Sequence, residues 1–402
     1  MINSTSELNT DIFYKDSEHS INKMNGRERG ARGARGGARE AEREVEREVG
    51  GNDTTSANIG AQYGYQSDDF KISCYKMKMD YSHNFGTESE YSSKDLKVLT
   101  LNIWGLEKKQ LVKYNFMEER MKKVVDVVKE ENPDIICLQE MSYSTFTFMD
   151  NDMIALGYNY RSEENMKPGE TMEKERNRSL ETFIYSKVKP SSFEIYSIGG
   201  NLGYDNSICL CIFTNLVIIN CYCQAGSKFS PGQEENAKHY SRCRGDQYRA
   251  IKDQINTKFK NHKVVLCGDF NTHLDGPEED WPEIKELHKM GLVDTYRSLY
   301  PIEKSNGYTE NTEINDMRWN SKFMPKTFRY DGIYTKNLAI YTSQIVANKP
   351  FFLTKDQEEI FYEYIKKQNL DKEKLRYRTV SGNKVLAWFP SDHFGVISEL
   401  SL

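Results

Sequence analysis

The chain has 402 residues, 38% of them hydrophobic and 29% charged, which suffices for one large domain with additional sequence or for two domains. Its net charge of −5 excludes a strongly basic protein that coats nucleic acid, although a local basic patch is compatible with it. No apolar run is long enough to span a bilayer, and residues 1–16 lack the apolar core of a secretory signal, so an intracellular, cytoplasmic or nuclear protein is expected.

Residues 1–92 read as a disordered tail, because apolar residues are sparse and no period persists. Within it, Arg29-Gly30, Arg32-Gly33 and Arg35-Gly36 form an Arg-Gly series. Arg39, Arg43 and Arg47 then alternate with Glu40, Glu44 and Glu48. The glutamates nearly cancel the arginines, which favours a flexible, charge-balanced segment over an RNA- or lipid-contacting arm. Residues 71–80 are the one stretch of the tail that could add a strand. Order begins at Leu96, and residues 93–402 are expected to form the folded domain.

Leu96-Lys97-Val98-Leu99-Thr100-Leu101-Asn102-Ile103-Trp104 predicts a strand with Asn102 at its far end. Met117, Met121, Val124, Val125 and Val128 then fall on one helical face, and Asn132-Pro133 breaks the helix. Asp134-Ile135-Ile136-Cys137-Leu138-Gln139-Glu140 predicts the next strand. If these two strands pair in parallel, Asn102 and Glu140 lie close together. Residues 182–186 predict a short strand, and residues 207–213 and 216–223 a hairpin. The alternating Cys209/Cys211 and Cys221/Cys223 read as buried free thiols. Residues 240–258 predict a helix. Arg242, Arg244 and Arg249 on it read as a solvated or salt-bridged face.

Val264-Val265-Leu266-Cys267 then runs straight into Gly268-Asp269-Phe270-Asn271. Asp269 and Asn271 are two positions apart, so on extended backbone both point to one side. Further on, residues 281–289 predict a helix, 307–319 a loop, 328–335 a strand holding Asp331, and 357–368 an inserted helix. The final strand, 394–400, follows Pro390-Ser391-Asp392-His393. His273 and His288 read as surface residues. The pattern favours an α/β fold of two packed sheets flanked by helices.

Several apolar runs thus end in polar residues: Asn102, Glu140, Asp269 with Asn271, Asp331, and Asp392 with His393. Each alone could be a cap or a turn. Together they suit a site assembled from strand ends on a rigid scaffold. Carboxylates and amide oxygens with one imidazole fit a hard cation such as Mg²⁺, with Mn²⁺ as an alternative, and no His/Cys cluster favours zinc. A carboxylate such as Asp331 beside His393 would orient the ring for acid, base or electrostatic work.

The motifs Leu101-Asn102-Ile103-Trp104-Gly105, Leu138-Gln139-Glu140, Gly268-Asp269-Phe270-Asn271, Tyr330-Asp331-Gly332-Ile333 and Ser391-Asp392-His393-Phe394-Gly395 resemble, in order and spacing, the endonuclease/exonuclease/phosphatase family. That family includes deoxyribonuclease I, abasic-site endonucleases and neutral sphingomyelinases. The resemblance covers residues 96–402 and implies a four-layered α/β sandwich of two mixed sheets flanked by helices. It also implies a Mg²⁺-dependent phosphodiesterase. In that reading Glu140 is the main metal ligand, with Asn102 beside it and Asp392 helping. Asp269 and Asn271 orient the attacking water and the phosphate, Asp331 partners His393, and the base is His393 or Asp269.

One position departs. Many members carry a histidine where this chain has Tyr222, in Asn220-Cys221-Tyr222-Cys223. A tyrosine can donate a hydrogen bond to a phosphoryl oxygen but brings no charge at neutral pH. The resemblance to abasic-site endonucleases, which also carry tyrosine here, favours retained catalysis over an inactive scaffold. Features of the sphingomyelinase branch and of the nucleases coexist, so the expected substrate is either a nucleic acid or a phospholipid such as sphingomyelin. A monomer without an integral membrane segment is expected.

Overall fold

In the computed structural model the apolar runs form strands whose pairing carries their polar ends to one rim. The structure describes residues 78–105, 115–163, 181–199, 206–229, 236–315, 317, 326–370, 372 and 375–402, all within the unit Ile72–Leu402. The Arg-Gly series and the rest of residues 1–77 lie outside the described residues.

The first half contains β1 (Lys78–Asn84), β2 (Asp95–Asn102), α1 (Met117–Glu131), β3 (Ile135–Gln139), α2 (Tyr143–Ala155), β4 (Tyr160–Arg161) and β5 (Thr182–Ser186). There follow β6 (Ser192–Ser197), β7 (Ser207–Ile212), β8 (Leu216–Tyr222), α3 (Ala237–Asn256), β9 (Lys263–Asp269), α4 (Ile284–His288), β10 (Val293–Asp294) and α5 (Thr295–Leu299). The remainder is β11 (Glu310–Asn311), β12 (Thr327–Phe328), β13 (Asp331–Lys336), β14 (Ala339–Val346), β15 (Phe351–Phe352), α6 (Lys355–Lys367), β16 (Tyr377–Val380), β17 (Asn383–Trp388) and β18 (Gly395–Ser401).

Two mixed sheets dominate. A six-stranded sheet runs β14-β18-β2-β3-β5-β4, and a seven-stranded sheet runs β1-β6-β7-β8-β9-β13-β10. Each holds one parallel pair, β2 with β3 and β8 with β9. Alternation along the strands divides three cores. Leu96, Val98, Ile135 and Cys137 face Cys211, Ile218, Val265 and Cys267 between the sheets. Leu99, Leu101, Ile136 and Leu138 pack outward on Met121, Val124 and Val128 of α1 and Met149 and Met153 of α2. Val217, Ile219, Val264 and Leu266 pack outward on Tyr248, Ile251 and Ile255 of α3. Both faces of these strands are buried, so their sequences are continuously apolar rather than alternating. The result is the four-layered α/β sandwich.

A buried amide pair crosses the inter-sheet core. Asn220 on β8 donates through Nδ2 to the carbonyls of Leu138 (2.9 Å) and Phe183 (3.0 Å). Its Oδ1 accepts from Gln139 Nε2 at 2.7 Å, and Gln139 also donates to Thr100 Oγ1 at 3.0 Å. The Asn220 amide is paired at both its oxygen and its nitrogen, and with Gln139, whose Oε1 is buried without a partner among the described residues, it bridges the sheets beneath Glu140 and Tyr222.

Several elements differ from expectation. Of the strand expected at residues 71–80, residues 71–77 lie outside the described residues and 78–80 open β1, which runs on to Asn84; Tyr91, inside the stretch assigned to the tail, is buried (2% exposed). The strand expected over residues 328–335 is interrupted. Arg329 turns its side chain to Asp275 and Asp294, while the N–H groups of Tyr330 and Asp331 go to Thr309 Oγ1. The helix expected over residues 281–289 is only the short α4. Helix α2 has little polar–apolar contrast, and its sequence signal is the capping box of Ser142 and Thr145. The inserted helix is α6. With the small sheet β15-β17-β16 it packs Phe361, Ile365, Leu386 and Trp388 around Phe116, Phe389 and Phe394. Among the described residues no helix is long and apolar enough to cross a membrane, and the seven described cysteines are free and buried.

Candidate active site

The strand register assembles the site. Tyr222 pairs with Asp269 across β8 and β9, and Asp269 pairs with Asp331 across β9 and β13. Directly opposed residues share a face, so Tyr222, Asp269 and Asp331 form one row on the seven-stranded sheet. On the other sheet Asn102 pairs with Gln139, and Glu140 follows one residue later. Asp392 and His393 sit in the loop entering β18, the strand beside β2.

The two halves meet through short contacts. Asn102 Nδ2 donates to Glu140 Oε1 and to Asp269 Oδ2, each at 3.0 Å, so one amide ties the sheets together at the rim. The Tyr222 hydroxyl donates to Glu140 Oε1 at 3.0 Å. His393 Nδ1 lies 2.8 Å from Asp331 Oδ2. Asp269, Asp331 and His393 are all buried, and each offers a ligand atom within 4.8 Å of the others. The Asn271 N–H donates to Asp269 Oδ1 (2.8 Å), and its Nδ2 donates to the carbonyl of Cys223 (2.9 Å). All eight residues singled out from the sequence therefore lie at this rim. Asn102 presents its amide nitrogen, not its oxygen, to the carboxylates; its Oδ1 accepts the Trp104 N–H at 2.9 Å.

The backbone at the rim is forced. Trp104, Glu140 and Asn271 have φ near +50° (48°, 54° and 50°), a left-handed conformation that costs non-glycine residues and concentrates at functional sites. Gly268, with φ 139°, must be glycine: a Cβ there would lie 1.9 Å from the Cys221 carbonyl oxygen.

Burial and mutual charge set the ionisation. Burial alone would lower the His393 pKa, but Asp331, Asp392 and Asp269 outweigh it and hold the ring well above its ordinary value. Burial and the neighbouring Asp331 raise Asp269 to about 8, against the opposing pull of His393, Asn102 and Asn271. Burial, then Glu140, Asp269 and Glu181, push the Tyr222 phenol well above its usual range, so it stays a proton donor.

The donors fit a hard cation. Carboxylates and one imidazole converge, and among the described residues no thiol joins them. Asp331 Oδ1 is buried without a hydrogen-bond partner among the described residues, as expected where a polar ligand belongs.

Residues read from the sequence without a catalytic role, or not read at all, hold this rim. Thr309 Oγ1 accepts the N–H groups of Tyr330 (2.9 Å) and Asp331 (3.0 Å), and its carbonyl accepts Phe394 N–H at 2.7 Å. Asn315 Nδ2 donates to the Ser391 carbonyl at 2.8 Å. Asp275 pairs with both Arg329 and Arg297 behind Asp331. Arg244, on the face read as solvated or salt-bridged, is buried and paired with Glu283 at 2.7 Å. His273 is half-buried, accepting Arg329 N–H on Nδ1 at 3.2 Å, whereas His288 is exposed.

Residues 99–393 match the family described as the Endonuclease/Exonuclease/phosphatase family. The sequence has no match among curated proteins. Among solved structures the fold is similar to that of SmcL, with 13% identity and TM-score 0.52 over 77% of this chain and 99% of that one. Also similar are TDP2 from Caenorhabditis elegans (17% identity, TM-score 0.49, 77% and 74% of the two chains) and D. rerio TDP2 complexed with a single-strand DNA product (14%, 0.48, 77% and 100%).

Proposed function

Because the chain belongs to the endonuclease/exonuclease/phosphatase family, we propose that it is a Mg²⁺-dependent phosphodiesterase, with water attacking the phosphate of a nucleic acid or of a phospholipid such as sphingomyelin. The observation that carries the reading is the buried Asp269–Asp331–His393 cluster, tied through Asn102 to Glu140. Glu140 and Asp392 would hold the ion, with Mn²⁺ as an alternative; Asn102 would join them through Oδ1 only once its amide turns from the Trp104 N–H. Bound there, the ion supplies positive charge to a phosphoryl oxygen and to the leaving oxygen.

The chain's own groups divide the remaining work. A base is most effective with a pKa near the working pH. Burial and Asp331 raise Asp269 above the usual carboxylate range, in the direction of that condition. His393, held in its protonated form by Asp331, does not accept the proton and instead lends charge and a hydrogen bond to the phosphate. Asp269 therefore takes the proton of the attacking water, and Asn271 beside it orients the phosphate. Tyr222 donates its hydroxyl to a phosphoryl oxygen in place of the usual histidine.

The test is a panel of bis(p-nitrophenyl) phosphate, sphingomyelin, phosphoinositides, abasic duplex and single-stranded DNA, each with Mg²⁺ and with EDTA. Turnover with Mg²⁺ on at least one of these, falling on the order of 10²–10⁴-fold in folded Glu140→Ala and His393→Ala variants, is expected. Full activity in both variants, or equal activity in EDTA, refutes the assignment.

A further inference from the structure

Helix α1 carries an arginine on its apolar face. Arg120 is three residues after Met117 and four before Val124, both core residues, and it is itself 0% exposed. A fully buried cation is costly unless its donors are used. Two of its three nitrogens are used, all on backbone carbonyls. Nη2 donates to Ile103 and to Trp104 (3.2 Å to the latter), and Nε donates to Pro390 at 3.1 Å. Its guanidinium also lies over the Trp104 ring, 5.2 Å from the centroid. Nη1 is buried with no hydrogen-bond partner among the described residues.

The carbonyls it gathers belong to different parts of the rim. Ile103 and Trp104 follow Asn102 directly, and Trp104 N–H holds the Asn102 amide. The next residue, Gly105, donates its N–H to the Glu140 carbonyl at 2.9 Å, so close that a Cβ on Gly105 would lie 2.3 Å from that oxygen. Pro390 precedes Ser391, whose Oγ donates to Asp392 Oδ1 at 3.3 Å. We propose that Arg120 is a positioning residue for the metal-side half of the site, a buried fork that fixes the spacing of the Asn102, Glu140 and Asp392 segments. This rests on the metal-dependent reading above. Arg120 touches neither substrate nor ion, and acts through the backbone it holds.

The charge and the fork make opposite predictions. Asp392 and Glu140 feel the Arg120 charge, so deleting that charge alone would tighten cation binding. Losing the fork would weaken it. Lysine keeps the charge and stem but lacks the planar fork, and methionine keeps only the stem. The experiment measures Mn²⁺ affinity by calorimetry and by electron paramagnetic resonance, without substrate, in the wild type, Arg120→Lys, Arg120→Met and Glu140→Ala. Expected is at least a fivefold weaker affinity in both Arg120 variants, with folding verified by circular dichroism. Tighter binding in Arg120→Met with no change in Arg120→Lys overturns the proposal, as does unchanged affinity in both with a lowered Tm. A wild type that binds no Mn²⁺, or a Glu140→Ala variant that binds it equally well, defeats instead the metal-site reading. If neither Arg120 variant folds, the Arg120 Nε–H resonance of the wild type decides: it shifts when Mg²⁺ is added, and a resonance indifferent to Mg²⁺ overturns the proposal.

Discussion

Replacing Asn220 tests whether the amide between the sheets carries the strength its geometry implies. Asn220 is 0% exposed and makes contacts of 2.9, 3.0 and 2.7 Å with Leu138 O, Phe183 O and Gln139 Nε2. At roughly 1 kcal/mol for each net hydrogen bond, Asn220→Ala costs about 3 kcal/mol. Asn220→Asp is the sharper perturbation, because it preserves shape. An ionised aspartate only accepts hydrogen bonds. It keeps the Gln139 contact but sets a buried carboxylate against two carbonyl oxygens, so it should be less stable than the alanine variant. Urea unfolding at neutral pH, with the slope m unchanged, reads both differences from the midpoints. An alanine cost under about 1 kcal/mol, or an aspartate variant more stable than alanine, would refute the reasoning.

Three further outcomes follow from the site and its supports. Asp331→Asn removes the main carboxylate that opposes desolvation of His393, so the ring pKa falls; the alkaline limb of kcat/KM should move to lower pH, and an unmoved limb contradicts the assigned partnership. Burial alone would raise Asp275, but hydrogen bonds from Arg329 and Arg297 hold it well below the usual carboxylate range. Its contribution is thus complete above the unfolded value of about 3.9 and is lost as pH falls through the folded value. Asp275→Asn should cost on the order of 3–5 kcal/mol at pH 7, with the gap to wild type closing steadily below about pH 4; a gap constant with pH argues against the charge pairing. Gly268→Ala forces a Cβ into the Cys221 carbonyl next to Asp269 and should lose more than about 4 kcal/mol, so soluble variant protein with wild-type Tm would show that the backbone yields there.

Much of this was legible because each strand's register is fixed by its apolar faces. The parallel pairing expected for the strands of Asn102 and Glu140 is found, with Asn102 opposite Gln139. Asp269 ends β9 and His393 precedes β18 as read, whereas Asn271 lies beyond β9 with φ 50° instead of on extended backbone, and Asp331 opens β13 instead of lying within a longer strand. What the sequence hid was contact between distant segments. Arg120 sits on the apolar helical face, yet a charged residue there reads as an exception rather than a tie. Thr309 and Asn315 lie in a stretch with no period, and their value comes from the backbone groups they receive and hold. The break at Arg329 was hidden for a similar reason: its side chain leaves for Asp275 and Asp294, 54 and 35 positions away in the chain, which no local pattern records.

The placement of β18 bears on when the centre can exist. This strand enters between β14 and β2 rather than adding at an edge, and His393 stands two residues before it begins. A chain still being synthesised can complete the seven-stranded sheet, with Tyr222, Asp269 and Asp331 already in register, and yet lack its imidazole and Asp392. In the proposed mechanism, hydrolytic competence then waits on the insertion of β18, which brings His393 and Asp392 to the rim. Ribosome-bound chains halted before residue 392 should be inactive however well their β8–β9–β13 core resists proteolysis.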